Sequence, residues 1–340
     1  MLDNKEKLAV ERVMKSGVLS GYRGSFAEEG KYFYGGEEVK ALESEWAKKF
    51  GVKHAIAVNS ATSGLWCAVM ATKGKTMAGE VIVTPYSMTC SASIPLVCGM
   101  RPMFADIEPD YFCIDPKEVI KKITSRTVAI IAVDLFGMPY SKELDDVSKK
   151  YNIPIIEDAA QAIGAKRDGK YAGTLGNIGV YSLNVHKHIQ AGEGGVMVTD
   201  DDRTAFKLRL LINHAEAVNN DLNNGGYINL VGMNLRMTEL TAAIAREQLK
   251  KLDKIIDGYQ SNAVDFEIPI RKGCTSAYYK YASLGMPVNP DKDKYNMKDH
   301  YITPLYRLPL FRSLGYNQSQ CPVCETVDKN IKLAWLKKPL

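Results

Sequence analysis

Residues 128–165 read VAIIAVDLFGMPYSKELDDVSKKYNIPIIEDAAQAIGA. Residues 128–133 are a continuous apolar run. Leu144, Val147 and Tyr151 then recur at helical spacing, and Ile153, Ile155 and Ile156 lead into Glu157-Asp158. A strand that is apolar on both faces, then a helix, then a second such strand predicts parallel strands covered by helices on both sides. Ligands of these sheets bind beyond the carboxyl ends of the strands, which singles out Asp158. Gln161 follows one helical turn on, on the same side. By itself, an aspartate in this position can cap a helix, bind magnesium or pair with a buried cation.

The same alternation extends in both directions. Upstream, short apolar runs at 55–58, 81–83 and 103–107 read as strands. Val39, Leu42, Trp46 and Phe50 mark a helix closed by Gly51, and residues 116–123 mark another, with Val119, Ile120 and Ile123 on one face. Residues 85–92 read as a loop entering a helix. The run NSATSGLWCAVMA at 59–71 reads as a strand end followed by a capped helix start. Such an N-terminus can bind an anion through free backbone N–H groups, gaining roughly 0.3–1 kcal/mol from the helix dipole at an exposed site. Capping alone is the plainer reading.

Downstream, residues 177–196 read NIGVYSLNVHKHIQAGEGGV, a β-rich run, one lysine at Lys187, and glycines at 192, 194 and 195. Glycine lets main chain pass close to a ligand where a Cβ would clash. A desolvated lysine works as a free amine and forms Schiff bases with pyridoxal phosphate or carbonyl substrates. The alternative is a surface lysine in a glycine-containing hairpin. A pyridine cofactor makes three demands: an anion site, a carboxylate that keeps its ring nitrogen protonated, and an amine. Ala61-Thr62, Asp158 and Lys187 meet them in chain order.

The 340 residues suffice for one large domain, or one large and one small, and at 46% hydrophobic and 24% charged the composition is that of a globular protein. The net charge of +5 is spread along the chain, without a basic block suited to nucleic acid. Residues 1–16 are charged throughout, the longest apolar stretch is too short to span a bilayer, and the seven cysteines suggest free thiols. The expectation is a cytoplasmic protein with neither nucleic-acid nor membrane partners.

The quoted segments, with GGEEVKALESEWAKKFGVKHAIAVNSATSGL (35–65) and GMNLRMTELTAAIAREQLKKLD (232–253), resemble the DegT/DnrJ/StrS-type sugar aminotransferases, pyridoxal-phosphate enzymes of fold type I. The resemblance implies an α/β fold: a large domain over residues 1–245 with a mostly parallel sheet, and a shortened α/β domain over 246–340. It implies pyridoxal 5'-phosphate as cofactor, glutamate or glutamine as donor and a nucleotide-linked keto-sugar as acceptor. It matches Lys187 to the Schiff-base lysine, Asp158 to the acid at the pyridinium nitrogen, and Gln161 to the residue near the 3-hydroxyl. Ala61, Thr62 and Ser182 match phosphate contacts. Asn234 matches an asparagine that reaches the phosphate from the partner of a homodimer. A branch of the family has histidine at the lysine position and dehydrates its substrate; here His186 and His188 flank a lysine. Dehydration, an inosose-type acceptor and a non-catalytic partner or regulator are the competing readings.

Two departures stand out. Met88 occupies a position where the family usually stacks an aromatic ring on the cofactor; sulfur–aromatic and aromatic contacts are worth similar amounts, so little binding should be lost. Tyr86 is the substitute the sequence offers. After Leu252 the pattern diverges: a helix break is expected near Asp257-Gly258, and NPDKDKYNMKDHY (289–301) replaces a longer helix and loop. Cys321 and Cys324 have metal-pair spacing without a second pair. His214 reads as packing, residues 218–226 as a mobile loop near Asn234, and Met237, Leu240 and Ile244 as a core or dimer face.

Overall fold

The structure, a computed structural model, describes residues 2–22, 32–73, 78–215, 230–263, 266, 268–284, 295–298, 300–317 and 321–336. Five strands come first: β1 (His54–Val58), β2 (Glu80–Val83), β3 (Arg101–Phe104), β4 (Thr127–Val133) and β5 (Ile155–Asp158). The short β6 (Lys166–Arg167) and β7 (Lys170–Tyr171) form a side ribbon, and β8 (Ile178–Ser182) and β9 (Gly195–Thr199) complete the main sheet. Its order is β1-β9-β8-β5-β4-β2-β3. Strand β9 runs against β1 and β8, and the remaining pairings are parallel.

The apolar character of β4 follows from its place in this sheet. Ile130 and Ala132 point to one side, where they meet Leu144 and Val147; Ala129, Ile131 and Val133 point to the other, where they meet Leu65 and Val83. With both faces buried, alternation would leave polar groups without water. Helices α1 (Asn4–Ser16), α2 (Glu37–Phe50), α3 (Ala61–Thr72), α4 (Cys90–Val97), α5 (Pro116–Lys122), α6 (Glu143–Tyr151) and α7 (Asp202–Ile212) accompany the strands. In α2 the stripe Val39, Leu42, Trp46 and Phe50 is buried, and Gly51 ends the helix at φ 68°.

Helices α8 (Glu239–Leu249) and α9 (Leu252–Asn262) follow almost end to end. The break expected at Asp257-Gly258 does not occur. A mid-helix glycine costs about 1 kcal/mol relative to alanine, and burial of Leu252, Ile255 and Ile256 offsets it. Three further strands, β10 (Cys274–Thr275), β11 (Tyr281–Ser283) and β12 (Tyr295–Lys298), precede α10 (Pro309–Ser313), α11 (Pro322–Asn330) and β13 (Lys332–Leu336). Strand β10 joins β6 and β7, while β11, β13 and β12 form a separate antiparallel sheet in that order. Residues 218–226, expected to be a loop, lie outside the described residues.

Candidate active site

The carboxyl ends of β4, β5 and β8 and the N-terminus of α3 surround a cavity of about 340 Å³. Its lining includes Ala61, Thr62, Met88, Asp158, Gln161, Ser182 and Lys187, residues spread over 127 positions of sequence. The parallel sheet brings them together because every parallel strand delivers its carboxyl end to the same rim.

Strands β8 and β9 do pair as antiparallel neighbours, so the hairpin reading of residues 177–196 describes the backbone correctly. The connection folds over the cavity: Leu183 N donates to Gly194 O, Val185 N to Gly192 O and Lys187 N to Asn184 O. Gly192 at φ 81° and Gly194 at φ 152° take conformations that side chains resist. Lys187 is partly buried, with Nζ 4.6 Å from the centre of the Tyr279 ring. Burial pushes its amine below the usual lysine range, and the Asp158 charge pulls the other way.

Asp158 ends β5 and is 5% exposed. Its Oδ1 accepts from Ala160 N at 3.2 Å. Burial raises its carboxyl pKa; the Ala160 bond, the Lys187 charge and a bond from Ser91 oppose that rise. Gln161 is held at both ends, accepting from Phe136 N at 2.9 Å and donating to Tyr301 OH at 3.1 Å. Ser182 Oγ accepts from Asn184 N at 3.3 Å.

At the other wall, Ser60 caps α3 by accepting from Ser63 N at 3.1 Å. Capping therefore belongs to Ser60, and the next first-turn N–H groups, at Ala61 and Thr62, have no partner within the helix. Gly195 lies against this turn, where a Cβ would come within 2.7 Å of Ala61 N. Polar groups, a helix N-terminus, a buried acid and a desolvated amine thus face one cavity, a donor set that fits pyridoxal phosphate. Asp158 in particular suits a cationic ring nitrogen, because a buried carboxylate is stabilised by a buried positive partner.

Three expectations need qualification. Met88 lines the cavity but is 52% exposed, at its mouth. Tyr86 is fully buried behind the wall, edge-on to Tyr301, and does not line the cavity. Asn234 is exposed and also lies outside the lining; its Oδ1 accepts from Arg236 Nε at 2.9 Å. It does lie at the same end of the sheet, since Asn59 N donates to the neighbouring Leu235 O at 2.8 Å.

Sequence reading missed Cys90, Tyr279 and Tyr301. Burial and the Asp158 charge push the Cys90 thiol up to about 11, so it stays protonated at neutral pH. Both tyrosines follow Leu252, where the pattern diverges, and Tyr301 ends the 289–301 stretch; only folding carries them to the rim. Cys321 and Cys324 are buried free thiols, and no cluster of metal-binding side chains occurs among the described residues. His188 turns away from the cavity, its Nε2 at 2.8 Å from Ala277 O.

This sheet, with its seven-strand order and rim cavity, has the fold type I architecture of the pyridoxal-phosphate aminotransferases. The model of the DegT/DnrJ/EryC1/StrS aminotransferase family matches residues 24–267, and the chain belongs to that family of aminotransferases. The chain is 31% identical to the pleiotropic regulatory protein of Geobacillus stearothermophilus, over 86% of its own length and 82% of that protein. It is 31% identical to GDP-perosamine synthase of Vibrio cholerae, over 82% of its length and 74% of that protein. The solved aminotransferase of Psychrobacter cryohalolentis superposes with a TM-score of 0.83 at 25% identity, covering all of this chain and 93% of that one.

Proposed function

We propose that the protein moves an amino group from glutamate or glutamine to a keto-sugar carried on a nucleotide, with pyridoxal 5'-phosphate held in the rim cavity. The observation that carries this reading is the placement of a desolvated amine, Lys187, and a buried acid, Asp158, in one cavity beside the N-terminus of α3. Relatives named GDP-perosamine synthase support the substrate class.

Pyridoxal phosphate, when bound, supplies an aldehyde that joins amines and a ring that accepts electrons released at the joined carbon. Lys187 Nζ is the attachment point and the base that takes the proton from the donor's α-carbon. Asp158 holds the proton on the ring nitrogen. Ala61 and Thr62, through backbone N–H groups, and Ser182 Oγ hold the phosphate. Gln161, fixed at both ends, orients the ring hydroxyl. Asn234 serves the partner's cavity in a homodimer. Lys187 also favours amino transfer over dehydration. The three-stranded sheet of β11–β13 supports treating residues after 245 as a smaller C-terminal part.

Lys187→Ala should remove the covalent pyridoxal adduct trapped by borohydride and slow amino transfer about 10²–10⁴-fold. Mass spectrometry of the lysine-containing peptide and of the sugar-nucleotide product checks both. An adduct retained at full yield in the variant would rule out this attachment site.

A further inference from the structure

A basic and aromatic cluster lies beside the cavity, outside the residues assigned above. The register of β11, β13 and β12 sets Tyr281 opposite Ala334 and Asn296 opposite Trp335, which puts Lys280, Trp335 and Asn296 in one row across the small sheet. Lys280 Nζ sits 4.2 Å from the centre of a Trp335 ring and 5.5 Å from that of Tyr279. Tyr279 lines the cavity, and Lys187 Nζ is on the same ring. The two amines are therefore no further apart than the sum of their distances to that ring.

Lys280 is half-buried, and Lys298 is exposed on β12, across β13 from Lys280 and two residues beyond Asn296. No carboxylate within ion-pair distance of either is found among the described residues. The Lys280 amine is pushed down to about 8, by burial first and then by the charges of Lys298 and Lys187. A half-buried amine near other cationic side chains, without an acid to offset it, is an arrangement that an incoming anion relieves.

We propose that Lys280 and Lys298, beside Trp335, form the subsite for the phosphate groups of the acceptor, a nucleoside diphosphate linked to the sugar. This rests on the amino-transfer reading and adds to it the residues that select a phosphorylated acceptor. The geometry suits that role. In a glycosyl phosphate the reacting ring carbon and the phosphate are separated by about one sugar ring, a span compatible with Lys187 Nζ and Lys280 Nζ at 4.6 and 5.5 Å from the centre of the Tyr279 ring. A lysine binds phosphate as a point charge, so salt should weaken the contact.

Trp335 supplies the readout, since it is half-buried while Trp46 and Trp66 are 0% and 6% exposed. The pyridoxal-phosphate-loaded protein is titrated with GDP, with UDP and with pyrophosphate while tryptophan fluorescence is followed. The expected result is saturable quenching by a nucleoside diphosphate, weakened at least tenfold in Lys280→Gln, weakened less in Lys298→Gln and largely restored in Lys280→Arg. Equal affinity in wild type and Lys280→Gln, or no response from wild type, overturns the proposal. A matching loss in a glutamate titration would assign the cluster to the donor's carboxylate and overturn it as well. Formation of pyridoxamine phosphate from glutamate by the wild type is measured separately: its failure sinks the amino-transfer reading, while the nucleotide titration still decides the subsite.

Discussion

His188 follows the candidate attachment lysine and does a different job. Its imidazole is buried, edge-on to Tyr259 at 4.7 Å, with Nε2 against the Ala277 carbonyl, so Nε2 carries the proton of the neutral ring. Burial pushes its pKa from 6.5 down to about 4. The unfolded chain thus binds a proton between those values that the folded chain does not. Its contribution to stability is complete above pH 6.5 and is lost as the pH falls toward 4, by at most about 3 kcal/mol. His188→Gln should flatten the stability profile between pH 6.5 and 4 in urea melts, whatever it costs at pH 7. An unchanged slope would place the titration elsewhere. The sequence marked this histidine only as a neighbour of Lys187, because adjacency in a loop says nothing about which way each side chain turns.

Among elements, the packing of β9 against α3 is the most exposed to a single change. Gly195 pairs with Val58 on one side and Ser182 on the other, and its missing side chain leaves room for the first turn of α3. Gly195→Ala would drive a Cβ into the Ala61 amide, so the helix N-terminus must move. Pyridoxal-phosphate affinity should fall about tenfold or more, the scale of a lost charge-assisted hydrogen bond, while the melting temperature falls by only a few degrees. Absorbance titration alongside thermal melting separates the two effects. The glycine cluster was legible as permissive backbone, yet which glycine bends the chain and which makes room was not. Gly192 and Gly194 have positive φ, whereas Gly195 is needed for close approach. Likewise β4 was plain from composition, because burial on both faces leaves a strand few polar choices. The helix through Gly258 was not, because packing of Ile255 and Ile256 outweighs a local propensity.

For the whole molecule, the proposed homodimer calls for a surface that a second subunit covers. Met88, Val185, Val231 and Met233 are large apolar side chains between 40% and 69% exposed, and they belong to the segments around the cavity mouth and Asn234. Such exposure is what a dimer would cover. If Asn234 serves the partner's cavity, Asn234→Ala and Lys187→Ala should complement each other. Unfolding and refolding them together should restore more amino transfer than the two variants show separately, because mixed dimers carry one intact site. Additive activity in the mixture, or a monomer by light scattering, would count against a shared site. No helix among the described residues is long and apolar enough to cross a membrane.

The sequence by itself determined the layered α/β architecture and the identity of the chemical groups at the rim. Strand and helix periods are local properties, and a lysine, an acid and a cap are recognisable wherever they fall. Only the tertiary structure decided which of these groups meet. It turned Lys187 inward and His188 away, put Tyr86 behind the wall and Tyr301 at the rim, and carried Lys280 and Trp335 beside the cavity. Those outcomes depend on contacts between residues 55 to 215 positions apart, which no short stretch of chain encodes.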